Sequence, residues 1–182
     1  MHATEEQEII KRVLNGDTNA FGILVKTYQR PIFNLMYRMT NSNDEAAELT
    51  QEVFIKAYEK LEKFKLGKKF FPWLYALGLN IAKDYWRKKQ RYCEVEVNNI
   101  SNSKQIARED KLETSYDYQK LQQALKNIPL LYREAIILRY HENMSLKDIA
   151  DALQISLSAA KMRVKRGLEM LRKELKGGES YV

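Results

Sequence analysis

The sequence predicts an all-α chain, two small helical domains joined by a flexible linker. Three observations carry that expectation. Apolar residues recur at three- and four-residue intervals through most of the 182 residues, and no alternating stretch is long enough to be a strand. Residues 92–113 break the period, are rich in Asn and Ser, and hold no aromatic after Tyr92. Residues 145–171 read as a helix, a tight turn and a cationic second helix. A structureless stretch the length of residues 92–113 exceeds what a compact domain usually takes up as a loop, so it divides the chain into domains at 1–91 and 116–178 with a linker at 92–115. A mobile surface loop within one domain is the plainer alternative.

The elements follow from local signals. Thr4 and Gln7 form a capping box for a first helix that ends at Asn15-Gly16. Asp17 caps the next, through AFGILVKTY, which Pro31 is expected to kink or restart, and IFNLMYRM continues it to a loop at Asn41. Ser42 and Glu45 box a helix running to about Lys63, with Ala46, Leu49, Val53, Ala57 and Leu61 as its apolar stripe. Lys65 to Lys69, with Gly67 inside, is a polar loop, and Pro72 takes the first position of a helix ending near Gln90. Helices resume at Tyr116, stop at Asn127, restart at Pro129 and run to Asn143. Ser145 and Asp148 box the helix carrying Ile149, Ala150 and Leu153; Ile155 sits in the turn; Ser156 caps a last helix whose Ala160, Val164, Leu168 and Leu171 share one face. Gly177-Gly178 ends that helix, leaving a frayed tail.

Charge narrows the partners. The net charge is +7 and the pI about 9.3, which points to an anionic partner, nucleic acid before membrane surface. Residues 161–176 hold seven basic and two acidic side chains, and residues 83–91 hold five basic and one acidic. Residues 44–62 reverse the sign, with six acidic side chains against two lysines. Two basic patches and one acidic helix imply more than one partner surface.

Enzyme signatures are absent: no Gly-rich phosphate loop, no HExxH, no paired Cys motif and no nucleophile elbow. No catalytic residue, metal site or cofactor is therefore expected. Cys93 has no second cysteine to pair with and fits a reducing cytoplasm, and His2 and His141 lie in no metal-ligand spacing. The polar start MHATEEQEII predicts no signal peptide, and no apolar run approaches the roughly 20 residues that span a bilayer, so no membrane insertion is expected.

The second helix of residues 145–171 carries Lys161, Arg163, Lys165 and Arg166 opposite its apolar face, a shape that fits the DNA major groove; an ordinary helical hairpin with a solvated basic face is the bland reading. Residues 70–91 interleave aromatics with cations. Rings that stack on unpaired bases and cations that neutralise phosphates are what single-stranded DNA binding needs. There, Trp73 and Leu77 read as core and Lys83, Trp86, Arg87 and Lys88 as functional, while Asn80 fits a hydrogen bond to a base edge and equally one to backbone or water. Gly78 inside this helix implies a close helix crossing. The third segment, DEAAELTQEVFIKAYEKL (Asp44 to Leu61), has an acidic face, for which simple solvation is the plain reading, and an apolar stripe broad enough to leave something over for a partner helix.

Together these blocks resemble the bacterial sigma-70 superfamily, specifically the extracytoplasmic-function RNA polymerase sigma factors. DEAAELTQEVFIKAYEKL resembles their region 2.2. FFPWLYALGLNIAKDYWRK resembles regions 2.3 to 2.4, with Asn80, Asp84 and Arg87 in register, and the stretch LKNIPLLYREAIILRYHENMSLKDIADALQISLSAAKMRVKRGLEMLRKEL resembles region 4. The resemblance covers about residues 10–91 and 116–175. It implies a sigma2 domain that docks on the clamp helices of core RNA polymerase and opens the −10 element. It also implies a sigma4 domain that reads the −35 element and touches the polymerase flap.

By that resemblance, polymerase contacts fall on Asp44, Glu48, Gln51, Glu52 and Ile55. Contacts with the −10 element fall on the 65–71 loop and on Asn80, Lys83, Asp84, Trp86, Arg87 and Lys88. Contacts with the −35 element fall on Ser156, Ser158, Ala159, Lys161, Met162, Arg163, Lys165 and Arg166. Promoter DNA, duplex and single-stranded, and an inhibitory anti-sigma factor complete the implied partners. The chain departs from the family at three places. Gln154 stands where a turn Gly is usual, Ser156-Leu157-Ser158-Ala159-Ala160 replaces Pro-x-Gly-Thr-Val, and Ala76-Leu77-Gly78 replaces Arg-Ile-Ala. Ala159 lacks a hydroxyl that would meet phosphate or base, and position 76 lacks a cation.

Two other functions compete with this one. A stand-alone helix-turn-helix transcriptional regulator would use residues 1–91 as a sensor domain and needs an effector pocket or phosphoacceptor Asp. A nucleic-acid enzyme would need clustered metal-binding carboxylates.

Overall fold

The computed structural model describes residues 3–96 and 116–177, with side chains over 4–89 and 119–176. Every regular element among them is helical: α1 (Ala3–Leu14), α2 (Thr18–Thr40), α3 (Asn43–Glu59), a 3₁₀ turn (Leu61–Lys63), α4 (Phe70–Glu96), α5 (Tyr116–Asn127), α6 (Leu130–Ile136) followed by a π-helical turn (Ile137–His141), α7 (Leu146–Leu153) and α8 (Leu157–Gly177). The described residues fall into two compact units, α1–α4 and α5–α8. The expected division after residue 91 lies inside α4, whose backbone stays helical to Glu96. The rest of the expected linker, 97–115, and the tail beyond Gly177 lie outside the described residues.

In the first unit α2 packs on α1 and α3, and α4 closes against α2 and α3. The expected stripe of α3 is buried in full, with Ala46, Val53 and Ala57 completely enclosed. Ile10, Leu24, Ile32, Leu35, Met36 and Leu74 of the other helices are likewise fully buried. At the end of this core Phe64, Phe70 and Trp73 form a ring cluster with centroids 5.3–5.8 Å apart, so Trp73 is a packing residue as its pattern suggests. Gly78 is where α4 crosses the core, since a Cβ there would stand 3.0 Å from Met36 Cε.

Four local expectations are corrected. Helix α2 runs through Pro31 without a break. The carbonyl that loses its amide partner belongs to Thr27, an exposed residue, so the missing bond lies at the surface and not in the core. The Ser42–Glu45 box is half formed: Ser42 Oγ accepts from the Glu45 amide at 3.4 Å, but the Glu45 carboxylate turns to Lys89 instead of reaching back.

The Thr4–Gln7 box does not form, because α1 already begins at Ala3. Gln7 instead accepts from the Gly67 amide at 2.9 Å and donates to the Lys68 carbonyl at 2.6 Å. Helix α4 starts at Phe70, two residues before Pro72, and Pro72 sits within the first turn, where a helical amide has no partner in any case. The Phe70 amide finds its acceptor in Glu6 Oε2, 3.1 Å away and 64 residues upstream.

Asp17 caps α2 as expected, accepting from the Ala20 amide at 3.2 Å, and the Arg12 guanidinium beside it holds its carboxyl below the ordinary range. In the second unit α8 packs on α5, α6 and α7. Its apolar face buries Ala160, Val164 and Gly167 against Ala135, Ile136, Ile149 and Ala152. The expected single helix from Pro129 to Asn143 ends in the π-helical turn and in Asn143 at φ 53°. The Ser145–Asp148 box is complete, Ser145 Oγ accepting from the Asp148 amide at 3.1 Å and Asp148 Oδ2 from the Ser145 amide at 3.2 Å.

Gln154 ends α7 in the left-handed region, φ 55° and ψ 47°. A side chain there costs about 1–2 kcal/mol of backbone strain, while glycine gives back roughly half of that through unfolded-state entropy. Gln154→Gly is expected to raise the stability of the second unit by roughly 0.5–1 kcal/mol, read as an upward shift of a few degrees in its thermal transition by calorimetry of the whole chain. No shift would mean that the turn is not strained.

Candidate nucleic-acid interface

Three exposed faces carry the residues singled out from sequence. On α4, Asn80, Lys83, Asp84, Arg87 and Lys88 are all exposed, and their spacing of three and four puts them on one stripe. The opposite side of the helix is buried through Leu74, Tyr75, Ile81 and Ala82. Arg87 donates to Asp84 along the stripe. Trp86 lies at its border, 38% exposed, with the indole N–H donated to the Met39 carbonyl at 2.8 Å. That bond fixes the ring and leaves an aromatic face, not a donor, at the surface.

Lys89 was not among the expected site residues. Its ammonium lies 5.8 Å from the Trp86 ring centroid and 5.4 Å from that of Tyr85, and it pairs with Glu45 at 2.8 Å. Burial pushes the Glu45 carboxyl up, but Lys89 and the Tyr85 hydroxyl outweigh it and the net shift is downward. The same contact with Glu45 raises Lys89. The partners are 44 residues apart, so no local spacing reveals the pair.

On α3, Asp44, Glu48, Gln51, Glu52 and Ile55 are exposed on one face, and Tyr58 extends it. Ile55 is 57% and Tyr58 42% exposed, so the acidic face carries an apolar strip. On α8, Ser158, Lys161, Met162, Lys165 and Arg166 are exposed, and Ala159 and Arg163 are half-buried at the flank. Ser156 is exposed, but its hydroxyl accepts from the Ala159 amide at 3.2 Å and bonds to Ser158 Oγ at 3.0 Å, which commits it to the helix cap. Lys165 approaches Glu169 only to 4.0 Å with both side chains more than half exposed, a pair too solvated to withdraw the lysine from other partners.

Among the described residues there is no group of three His, Cys, Asp or Glu placed to hold a metal ion, and no helix is long and apolar enough to cross a membrane.

Comparison with known proteins shows the family. The family model for sigma-70 region 2 matches residues 24–92, and that for sigma-70 region 4 matches residues 118–171. The ECF RNA polymerase sigma factor SigW of Bacillus subtilis is 35% identical over 177 residues, covering 92% of this chain and 95% of that one. The RNA polymerase sigma-H factor of Pseudomonas aeruginosa is 29% identical over 186 residues, covering 94% of each chain. Among solved structures, the sigma factor RpoE of Bartonella quintana, in complex with the anti-sigma factor NepR, aligns with a TM-score of 0.71 at 25% identity, covering 86% of this chain and 96% of that one. CnrH, solved with the cytosolic domain of CnrY, shares the fold at a TM-score of 0.70 and 20% identity, covering 94% and 97%.

The residues that a stand-alone regulator would need as a sensor domain are largely those that match region 2, so that reading is not favoured. With more than half of the chain matched by the two regions and a relative of this identity along nearly its whole length, the chain belongs to the sigma-70 family, as an extracytoplasmic-function sigma factor that directs RNA polymerase to promoters.

Proposed function

We propose that this sigma factor divides its work among the three faces described above. The face of α3 built from Asp44, Glu48, Gln51, Glu52 and Ile55 docks on core polymerase. The α4 stripe of Asn80, Lys83, Asp84, Arg87 and Lys88, with the Trp86 ring at its border, and the 65–71 loop receive the opened −10 strand. The α8 face of Ser158, Lys161, Met162, Lys165 and Arg166, flanked by Ser156, Ala159 and Arg163, reads the −35 duplex. The segment between the two units is the tether, and the protein acts by binding, in the cytoplasm, without a catalytic group of its own. The observation that carries this reading is the α4 stripe, where every polar residue assigned to the −10 strand is exposed while Ile81 and Ala82 between them are buried.

The physics of the two DNA contacts differs. Lysines on α8 gain from releasing the counterions of duplex phosphates, and Met162 offers an apolar contact to a thymine methyl. Unstacking a base costs a few kcal/mol, which a cationic stripe and an aromatic face offset only where the strand is already held. A tether supplies that condition, because −35 binding raises the effective concentration of the second contact. Either unit alone binds weakly, which makes core polymerase an obligate partner. An anti-sigma factor is proposed to cover the polymerase-binding faces, by likeness to the Bartonella quintana complex.

Run-off transcription tests the reading. Core polymerase is expected to start at defined promoters only when this protein is added, and Glu48→Lys with Glu52→Lys is expected to abolish that activity by reversing the charge of the docking face while leaving −35 duplex binding intact. Specific initiation by this double variant at wild-type level would overturn the assignment of α3.

A further inference from the structure

We propose that Glu6 and Gln7 of α1 are positioning residues for −10 recognition: they hold the 65–71 loop in the shape in which it receives a nucleotide of the unpaired strand. The inference rests on the reading above, that this loop meets the −10 strand, and goes beyond it by assigning a role to a helix that the reading leaves idle.

The loop is exposed from Lys65 to Lys69, and one backbone bond of its own, from the Lys68 amide to the Lys65 carbonyl at 3.2 Å, closes a turn that the rest of the fold must still hold in place. The ties are unusually specific. Gln7 uses both ends of its amide on neighbouring backbone groups, accepting from the Gly67 amide at 2.9 Å and donating to the Lys68 carbonyl at 2.6 Å. Gly67 sits at φ 89° inside that turn, where the turn's own bond leaves its amide without a backbone acceptor, and Gln7 supplies one. Glu6 is only 4% exposed, a rare state for a carboxylate, and it is fully employed. Its Oε2 accepts from the Phe70 amide at 3.1 Å, and its Oε1 accepts from the Tyr28 hydroxyl at 2.5 Å.

Burial and the Glu6 carboxylate push the Tyr28 phenol well above its ordinary range, which keeps the hydroxyl a donor to that carboxylate. The Tyr28 ring in turn stacks on Phe71, 5.0 Å between centroids and 6° between planes. The loop is thus held by Gln7 at its bend and by Glu6 and Tyr28 at its exit into α4, with Lys65 and Leu66 exposed on its outer side. Core packing explains none of this: a carboxylate and an amide are costly choices for a position that only had to be filled.

A flexible loop would discriminate poorly between bases, because a wrong base would be met by rearrangement instead of by unpaired groups. The test therefore reads discrimination, not activity. Holoenzyme is assembled from core polymerase and full-length protein, and initiation is measured on paired promoters that match or mismatch the −10 element, each with the same −35 element.

Gln7→Ala removes both loop bonds from a half-buried side chain and leaves the buried carboxylate in place. It is expected to keep polymerase binding and −35 discrimination, and to lower the −10 match-to-mismatch ratio roughly five- to tenfold, the effect of one or two lost hydrogen bonds. Gln7→Glu keeps the acceptor for Gly67 and is expected to fall between Gln7→Ala and the native protein. A merely structural role would reduce the active fraction equally on both promoters and leave the ratio unchanged; an unchanged ratio in Gln7→Ala holoenzyme overturns the proposal. Lys65→Ala with Leu66→Ala, on the exposed side of the loop, separates the two levels. If that variant alters the ratio and Gln7→Ala does not, only the positioning role fails. If neither alters it, the assignment of the loop to the −10 strand fails as well.

Discussion

Lys161→Ala combined with Lys165→Ala is expected to weaken binding to a −35 duplex by one to two orders of magnitude near 0.1 M salt, and to flatten the dependence of log affinity on log salt by about two. The two lysines lie one turn apart on the exposed face of α8, opposite the buried Ala160 and Val164, and no strong ion pair holds either of them down. Each phosphate neutralised contributes roughly 0.9 to the salt slope, so the loss counts contacts directly and is the same for all sequences.

Arg163→Ala separates a different function. Arg163 is half-buried at the flank, and its removal is expected to change the ranking of −35 sequences more than the slope. Affinity for core polymerase, which the proposed reading assigns to α3, is expected to stay within twofold in both variants. Filter-binding titrations on a −35 duplex at four salt concentrations, beside a polymerase pull-down, decide the matter. Equal loss of duplex and polymerase binding would show that α8 is not the reading helix.

How far the sequence alone reaches is clearest at particular residues. The stripe of Ala46, Leu49, Val53, Ala57 and Leu61 was legible, because a helix that must bury one side repeats its apolar residues at the helical period, and all five are buried. The Ser145–Asp148 box was legible for the same reason: its two partners are three residues apart, and local geometry decides it. Signals of the same kind failed at Thr4–Gln7 and at Glu45. In each case a distant partner offered a better bond than the local one, the 67–68 backbone for Gln7 and Lys89 for Glu45. The start of α4 failed likewise, since the acceptor that lets it begin at Phe70 is Glu6.

The candidate faces were legible in their outlines, because charge on one side and apolar spacing on the other pick out the exposed residues of α3, α4 and α8 from local pattern alone. What escaped was how those faces are braced. Trp86 is fixed by the Met39 carbonyl and Lys89 by Glu45, contacts that span more than 40 residues. Gln154 likewise keeps a side chain at a left-handed turn that glycine fills more cheaply, a conformation its residue type does not announce.

Gly167→Ala is expected to destabilise the second unit by about 1–2 kcal/mol, although alanine is the better helix former by about 1 kcal/mol in an open position. The sign turns on space. A Cβ at 167 would stand 2.7 Å from Ile136 Cδ1, 2.8 Å from Ile136 Cγ1 and 3.1 Å from the Tyr132 carbonyl oxygen. Ile136 is itself buried, so its side chain has no solvent to retreat into, and the carbonyl belongs to the backbone of α6. Inserting a methyl there forces α6 and α8 apart, at the usual overpacking cost of about 1–3 kcal/mol, which exceeds the gain in helix propensity.

A double-mutant cycle isolates the cause. Ile136→Ala alone is expected to cost about 2–5 kcal/mol by leaving a cavity. In that background the added methyl meets only the carbonyl and fills part of the void, so Gly167→Ala becomes neutral or stabilising, a coupling of about 2 kcal/mol. Calorimetry of the four full-length proteins measures it. If the cost of Gly167→Ala is the same in both backgrounds, contact with Ile136 is not what keeps this position glycine. The cycle also bears on function, because α8 packs one side on α6 and the proposed reading gives its other side to duplex DNA. A methyl that shifts the helix is expected to weaken −35 binding even below the melting temperature, and Ile136→Ala to restore it.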